Sequence, residues 1–135
     1  MWITTTGGFY SAVQDKQDES ILSVRTRDKE SAEIAVASIK EWFGEVCVVR
    51  EGEGTDYPYR FRVSRANFSQ WVARETMEYL NYTNFKSAVK DSRGEDWSDA
   101  LMDVWMAMMK VTDPAMHSHG YYDTIYGNKG RKSFR

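Results

Sequence analysis

GTDYPYRFRVSRANFSQWVARETMEYLNYTNFKSAV, residues 54–89, is the stretch that decides the fold. It opens with turn residues, Asp56 and Pro58 flanking Tyr57. Tyr59, Phe61 and Val63 then alternate with Arg60 and Arg62, the period-2 pattern of a half-buried strand. Ser64 offers a hydroxyl to the unpaired amides that begin a helix. Phe68, Trp71, Val72, Glu75 and Tyr79 recur along one side of that helix, which ends near Asn81. Thr83 is placed to cap a shorter helix running to Lys90, with Phe85, Ala88 and Val89 inward. No residue in the stretch carries an evident catalytic role.

The pattern extends in both directions. Upstream, Trp2 to Thr6 is a β-branched run closed by Gly7-Gly8, and Phe9 to Gln14 continues as a second strand or a bulged extension of the first. After a polar turn over residues 15–20, Ile21 to Thr26 alternates again: Leu22, Val24 and Thr26 on one face, Ser23, Arg25 and Arg27 on the other. Residues 28–43 read as a helix capped by Asp28, striped with Ile34, Val36, Ile39, Trp42 and Phe43, and stopped at Gly44. Glu45 to Arg50 reads as a short apolar strand. Downstream, Gly94 breaks the chain before a last helix over residues 96–110. Trp97, Leu101, Val104, Trp105 and Met108 form its main stripe, and Met102, Met106 and Met109 widen the apolar arc.

Strands gather in the first half and helices in the second, which predicts an α+β fold. The simplest form is a small antiparallel sheet of about four strands packed on one face by about four helices. Residues 1–111 form one domain; residues 112–135 are expected to be a polar, flexible tail.

The 135 residues suit a single domain with a real core, and the charged fraction is that of a soluble globular protein. Net charge is -2, so no bulk basic character draws the whole protein to nucleic acid or anionic lipid. The charge is uneven: residues 1–111 hold 14 basic and 18 acidic side chains, residues 112–135 hold 4 and 2. Cys47 is the single cysteine, set among Val46, Val48 and Val49, and reads as a small buried hydrophobe. It permits no intramolecular disulfide and no thiolate metal cluster, and a reducing cytoplasm fits it. The N-terminus lacks the features of a signal peptide and no apolar run approaches a membrane span. The expectation is a soluble cytoplasmic protein with no membrane partner.

Three segments, MWITTTGGFYSAVQ (1–14), TDYPYRFRVSR (55–65) and YLNYTNFKSAV (79–89), together resemble a family of small uncharacterised proteins of actinobacteria and their phages. The resemblance covers about residues 1–110. It implies a phage setting, and the host cytoplasm if phage-encoded, but no activity, cofactor or catalytic residue.

Two surfaces stand out as candidate sites. The first is the last helix with its methionines, Met102, Met106 and Met109, joined by Tyr57 and Tyr59 of the turn before the arginine strand: adaptable apolar groups suited to a protein partner or a homodimer. The second is an arginine face. Arg25 and Arg27 share one side of their strand and Arg60 and Arg62 one side of theirs, with Arg50 as a further member; adjacent strands would unite them into a surface for phosphate and bases. Other features point to no chemistry. His117 and His119 lack a third strong metal ligand. The loop GEGTD (52–56) lacks the Lys-Ser/Thr of a phosphate-binding loop. Asp99 and Asp103 lie one helical turn apart on what reads as a solvated face. Lys129, Arg131, Lys132 and Arg135 make a basic end of the kind that gives nonspecific affinity for nucleic acid or an acidic partner, with solubility or simple disorder the plainer reading. The sequence therefore predicts a non-enzymatic interaction protein, with no cofactor and no metal, that binds and modulates a host or cellular protein. The alternative is a nucleic-acid or nucleotide binder using Arg25, Arg27, Arg60 and Arg62.

Overall fold

The computed structural model describes residues 1–52 and 55–112. The expected flexible tail beyond Thr112, both histidines and the basic C-terminal cluster lie outside the described residues, as do Glu53 and Gly54 of the glycine-containing loop; Thr112 itself ends the last helix. The fold is α+β. Five strands form one antiparallel sheet: β1 (Trp2–Thr4), β2 (Phe9–Gln14), β3 (Ile21–Thr26), β4 (Arg50–Glu51) and β5 (Tyr59–Ser64), in the order β1-β2-β3-β5-β4. Four α-helices accompany it: α1 (Lys29–Phe43), α2 (Arg65–Arg74), α3 (Phe85–Arg93) and α4 (Glu95–Thr112), with a π-helical turn at Glu75–Tyr79 following α2.

Phe9–Gln14 is a separate strand, reversed at Gly7-Gly8 and paired with β1 from Trp2↔Ser11 to Thr4↔Phe9. The strand expected over 45–50 shrinks to Arg50–Glu51. Glu45 accounts for this. Its carboxylate accepts from the Ser64 amide (2.8 Å), the Ser64 hydroxyl (2.8 Å) and Asn67 Nδ2 (2.7 Å), so it closes the start of α2 instead of extending a ladder. Burial opposes that carboxylate's charge, but the bonds from Asn67 and Ser64 win and hold it below the usual carboxylate range. Cys47 is buried, and burial, reinforced by Glu45, pushes its thiol up to about 11, which leaves it unreactive.

α1 and α2 cover one face of the sheet. Alternation sends Tyr10, Ala12, Leu22, Val24, Phe61 and Val63 to that face, where Phe68, Trp71 and Ile39 complete the core. α1 starts at Asp28, whose carboxylate accepts from the Ser31 amide, and ends at Gly44 in the left-handed region (φ 72°), where a glycine closes the helix without a Cβ clash. Its buried face is Ser31, Ala32, Ala35 and Ile39, whereas Ile34 is exposed. The predicted stripe is thus rotated, because small residues let the helix lie closer to the sheet than bulky ones would. Asn84, one residue after the expected cap, accepts from the Ser87 amide and begins α3.

α3 and α4 pack on each other, and α4 packs on no other helix or strand of the described residues. Side chains join this pair to the body at the β1–β2 turn and the start of α1. The Ser92 hydroxyl donates to the Thr6 carbonyl (2.7 Å), and Arg93 donates to the Gly7 carbonyl and to Asp28 Oδ2 (2.9 Å). The turn itself is tight against α1. A Cβ at Gly8 would overlap the Ser31 hydroxyl, which is fixed by a 2.6 Å bond to Asp28 Oδ1. Gly8→Ala is accordingly expected to lose about 1–3 kcal/mol, the cost of overpacking a fixed site. Urea denaturation checks this through a lower midpoint at unchanged slope.

Candidate recognition face of the sheet

The face of the sheet away from α1 and α2 carries the arginines. β3 and β5 are neighbours, so the two arginine strands lie side by side, with Arg25↔Arg60 and Ser23↔Arg62 in register. β4 adds Arg50 opposite Arg60, and β2 places Ser11 opposite Arg25. A single cross-strand row therefore runs Trp2, Ser11, Arg25, Arg60, Arg50 over all five strands. Arg27 continues beyond the end of β3.

Like charges directly opposite one another on a sheet repel. Carboxylates normally relieve such a row, and here one does so only at its margin: Arg62 pairs with Asp15 at 3.1 Å. Among the described residues Arg25, Arg27, Arg50 and Arg60 make no ion pair. Arg25, Arg27 and Arg60 are held by neutral groups. Arg25 donates to the Ser11 hydroxyl (2.8 Å), and Arg60 to Thr55 Oγ1 (3.0 Å) and the Tyr57 carbonyl (3.3 Å). The guanidinium carbons of Arg25 and Arg27 lie 4.8 and 5.0 Å from the Tyr57 ring centroid. The Nε atoms of Arg25 and Arg60 are buried with no acceptor among the described residues. The guanidinium groups of Arg25, Arg27 and Arg60 are thus oriented without a carboxylate partner among the described residues.

Aromatics share this face. Trp2 is 69% exposed, and its ring lies 5.7 Å from that of Phe9 at 60°. Trp2 heads the arginine row and Phe9 sits diagonal to it. Sequence reasoning did not place either residue in a site, because their face follows from the β1–β2 register and strand order, which the alternation alone leaves open.

The residues expected to meet a protein partner are dispersed. Tyr57 is buried beneath the arginines, and Tyr59 points to the opposite face and packs against the core. On α4, Met102, Met106 and Met109 are half-buried, while Val104, Trp105, Met108 and Val111 are exposed. The main stripe of the helix thus faces outward over its C-terminal half. Asp99 and Asp103 are exposed. No group of three or more potential ligands could hold a metal among the described residues, and no helix there is long and apolar enough to cross a membrane.

A separate crevice of about 100 Å³ lies between β1 and the π-helical turn, with Glu75 its one carboxylate beside Thr4, Thr5, Thr6 and Tyr82. Burial raises the Glu75 carboxyl above the usual range. A raised carboxyl binds its proton more tightly in the folded than in the unfolded chain, so its contribution favours folding at low pH and is lost as pH rises through the folded value. Glu75→Gln is expected to raise the melting temperature at pH 7–8 relative to the parent and to make little difference near pH 4. Thermal melts at the two pH values check the sign.

No protein-family model, curated protein or solved structure matches this chain. Its class rests on its own geometry: an antiparallel α+β domain with one sheet face closed by helices and the other covered by no described helix, aromatic at one edge and arginine-lined at the other.

Proposed function

We propose that the protein is a non-enzymatic binding module that takes single-stranded nucleic acid across the open face of its sheet. The observation that carries this is the cross-strand row Trp2–Ser11–Arg25–Arg60–Arg50, three of whose members are arginines with no carboxylate partner among the described residues. A polyanion bridging those guanidinium groups relieves their mutual repulsion, and guanidinium forks match phosphate oxygens. Trp2 and Phe9 supply π-faces on which unstacked bases can lie. Strand spacing of about 4.8 Å sets the row at roughly 19 Å from end to end, room for about three nucleotides. A face of five strands is too wide to enter a duplex major groove of about 12 Å, so the ligand is a single strand.

The net charge of -2 does not oppose this. Charges more than about 8–10 Å apart are largely screened at physiological salt, and a strand on the sheet feels the local arginines first.

The variants separate the two contributions. Trp2→Ala is expected to weaken binding of a fluorescein-labelled 12-nucleotide strand by about 1–3 kcal/mol, the range for loss of one base-stacking platform. Its salt dependence should be unchanged. Arg50→Ala and Arg60→Ala together should flatten the slope of log K against log salt by about 1.4, two phosphate contacts at about 0.7 each. Fluorescence anisotropy at several salt concentrations measures both. Equal affinity and equal slope in all three proteins would remove the sheet face from consideration.

A further inference from the structure

The crevice beside Glu75 is the inner end of a longer cavity. Thr6, Tyr79 and Tyr82 line both the crevice, of about 100 Å³, and a wider open hollow of about 860 Å³ that runs past Asn81 and Asn84 to Asp91 of α3. We infer that the joined cavity binds a small aliphatic diamine, with one ammonium group against Glu75 and the other against Asp91. The inference is independent of the sheet face.

Three observations select that ligand. The first is charge. Each end of the cavity holds one carboxylate, and neither lining contains a lysine, arginine or histidine among the described residues. Glu75 and Asp91 make no ion pair among those residues. The π-helical turn brings Glu75 into the crevice, since i→i+5 bonding turns Glu75, Tyr79 and Leu80 together toward β1. The phenols of Tyr10 and Tyr82 feel the Glu75 charge: burial raises both, and Glu75 adds to it. A carboxylate enclosed in this way costs free energy until a cation meets it. The second is size. An apolar cavity of about 150 Å³ holds one benzene ring, so the smaller crevice takes the end of a chain and excludes a nucleobase. The third is lining. Ile3, Val72 and Leu80 offer apolar wall to methylene groups, and the Tyr79 and Tyr82 rings attract an ammonium group. A bare divalent metal ion is a poorer match. Calcium and magnesium take about six or more oxygen ligands, and no group of three or more potential ligands occurs among the described residues.

Equilibrium dialysis of the 135-residue chain against radiolabelled 1,4-diaminobutane at pH 8 tests this, with unlabelled amines as competitors. The expected result is saturable one-to-one binding. Glu75→Gln keeps the shape of the side chain and removes its charge. It should weaken the diamine about tenfold or more, as loss of a bond to a charged group does. Asp91→Asn, at an exposed position, should weaken the diamine by a similar factor and leave the affinity of 1-aminobutane, read by displacement, unchanged. Asp103→Asn, exposed on α4 and outside the cavity, should change neither. Circular dichroism checks that each variant is folded. If 1-aminobutane and Nα-acetyl-lysine amide bind the parent as tightly as the diamine, and Asp91→Asn has no effect, the crevice belongs to a lysine side chain of a protein partner and the diamine is overturned. Absence of saturable binding to the parent, equal affinity in the Glu75→Gln protein, or an equal loss in the Asp103→Asn protein would overturn it as well.

Discussion

Trp71→Ala is expected to destabilise the protein by about 3–5 kcal/mol, the range for removing a large aromatic from a closed core. Trp71 is fully buried where α2 meets the sheet. Its ring stacks on Phe68 with centroids 5.5 Å apart and meets Tyr10 edge-on at 5.1 Å. Its indole N–H donates to the Ser38 hydroxyl of α1 at 2.7 Å. One side chain therefore ties α2, β2 and α1 together, and alanine leaves a cavity that rigid neighbours on three sides cannot close. Domains of this size have only about 5–15 kcal/mol in total, so the variant should unfold at much lower urea. Trp71→Phe separates the two contributions: it keeps an aromatic ring and removes the hydrogen bond, at a cost nearer 1–1.5 kcal/mol. Equilibrium urea curves with unchanged slopes measure both values. A loss under 1 kcal/mol for the alanine variant would contradict this description of the core.

Arg93→Ala is the second large effect, at about 3 kcal/mol. The Arg93 side chain is 5% exposed although it carries a full charge. It meets Asp28 at 2.9 Å and Glu30 at 3.3 Å, donates to the Gly7 carbonyl and to Ser31 Oγ, and lies 4.6 Å from the Trp97 ring centroid. Removing one member of a buried pair costs about 3–5 kcal/mol. The lower end applies because Asp28 is partly exposed and keeps its bonds from Ser31. The loss should be local first. Arg93 and Ser92 join α3 and α4 to the body, so amide exchange over residues 85–112 should accelerate more than exchange in the sheet.

Acid should produce a related loss in the parent protein. Burial opposes the Asp28 charge, but the Ser31 hydroxyl, the Ser31 amide and Arg93 outweigh it and hold the carboxyl below its usual range. A lowered carboxyl stabilises the fold above its unfolded value of about 3.9, and that contribution disappears as pH falls through the lower folded value. Arg93→Ala should lessen this part of the acid sensitivity. Amide exchange of the variant identical to the parent over 85–112 would refute the role assigned to Arg93.

Much of the fold was legible in local patterns. The alternation in Tyr59–Val63 and Leu22–Thr26, the caps at Asp28 and Ser64, and the glycine at 44 each act over a few residues, and each appears in the structure. What escaped depends on distant partners. Val46, Cys47 and Val48 carry a strand's composition, but Glu45 is drawn to Ser64 and Asn67, far along the chain. Ile34 looked like core and faces out, since the small face of α1 packs more closely. Arg93 gave no local signal at all; its role arises from a carboxylate at Asp28, in another element.

The candidate site divides in the same way. Alternation placed Arg25 and Arg27 on one side of their strand and Arg60 and Arg62 on one side of theirs. Only the strand order made them neighbours, gave Arg62 to Asp15, and brought Trp2 and Phe9 onto the same surface.

Titrating the 135-residue chain into a fluorescein-labelled 12-nucleotide single strand and, separately, into a duplex of the same length, at 50 and 200 mM salt, tests single-strand binding on the sheet. The account predicts saturable binding of the single strand. The slope of log K against log salt should be about −2, for three phosphate contacts at about −0.7 each, and the duplex should bind more weakly. No anisotropy change with the single strand at 50 mM salt, or a preference for the duplex, would contradict the assignment of the open sheet face.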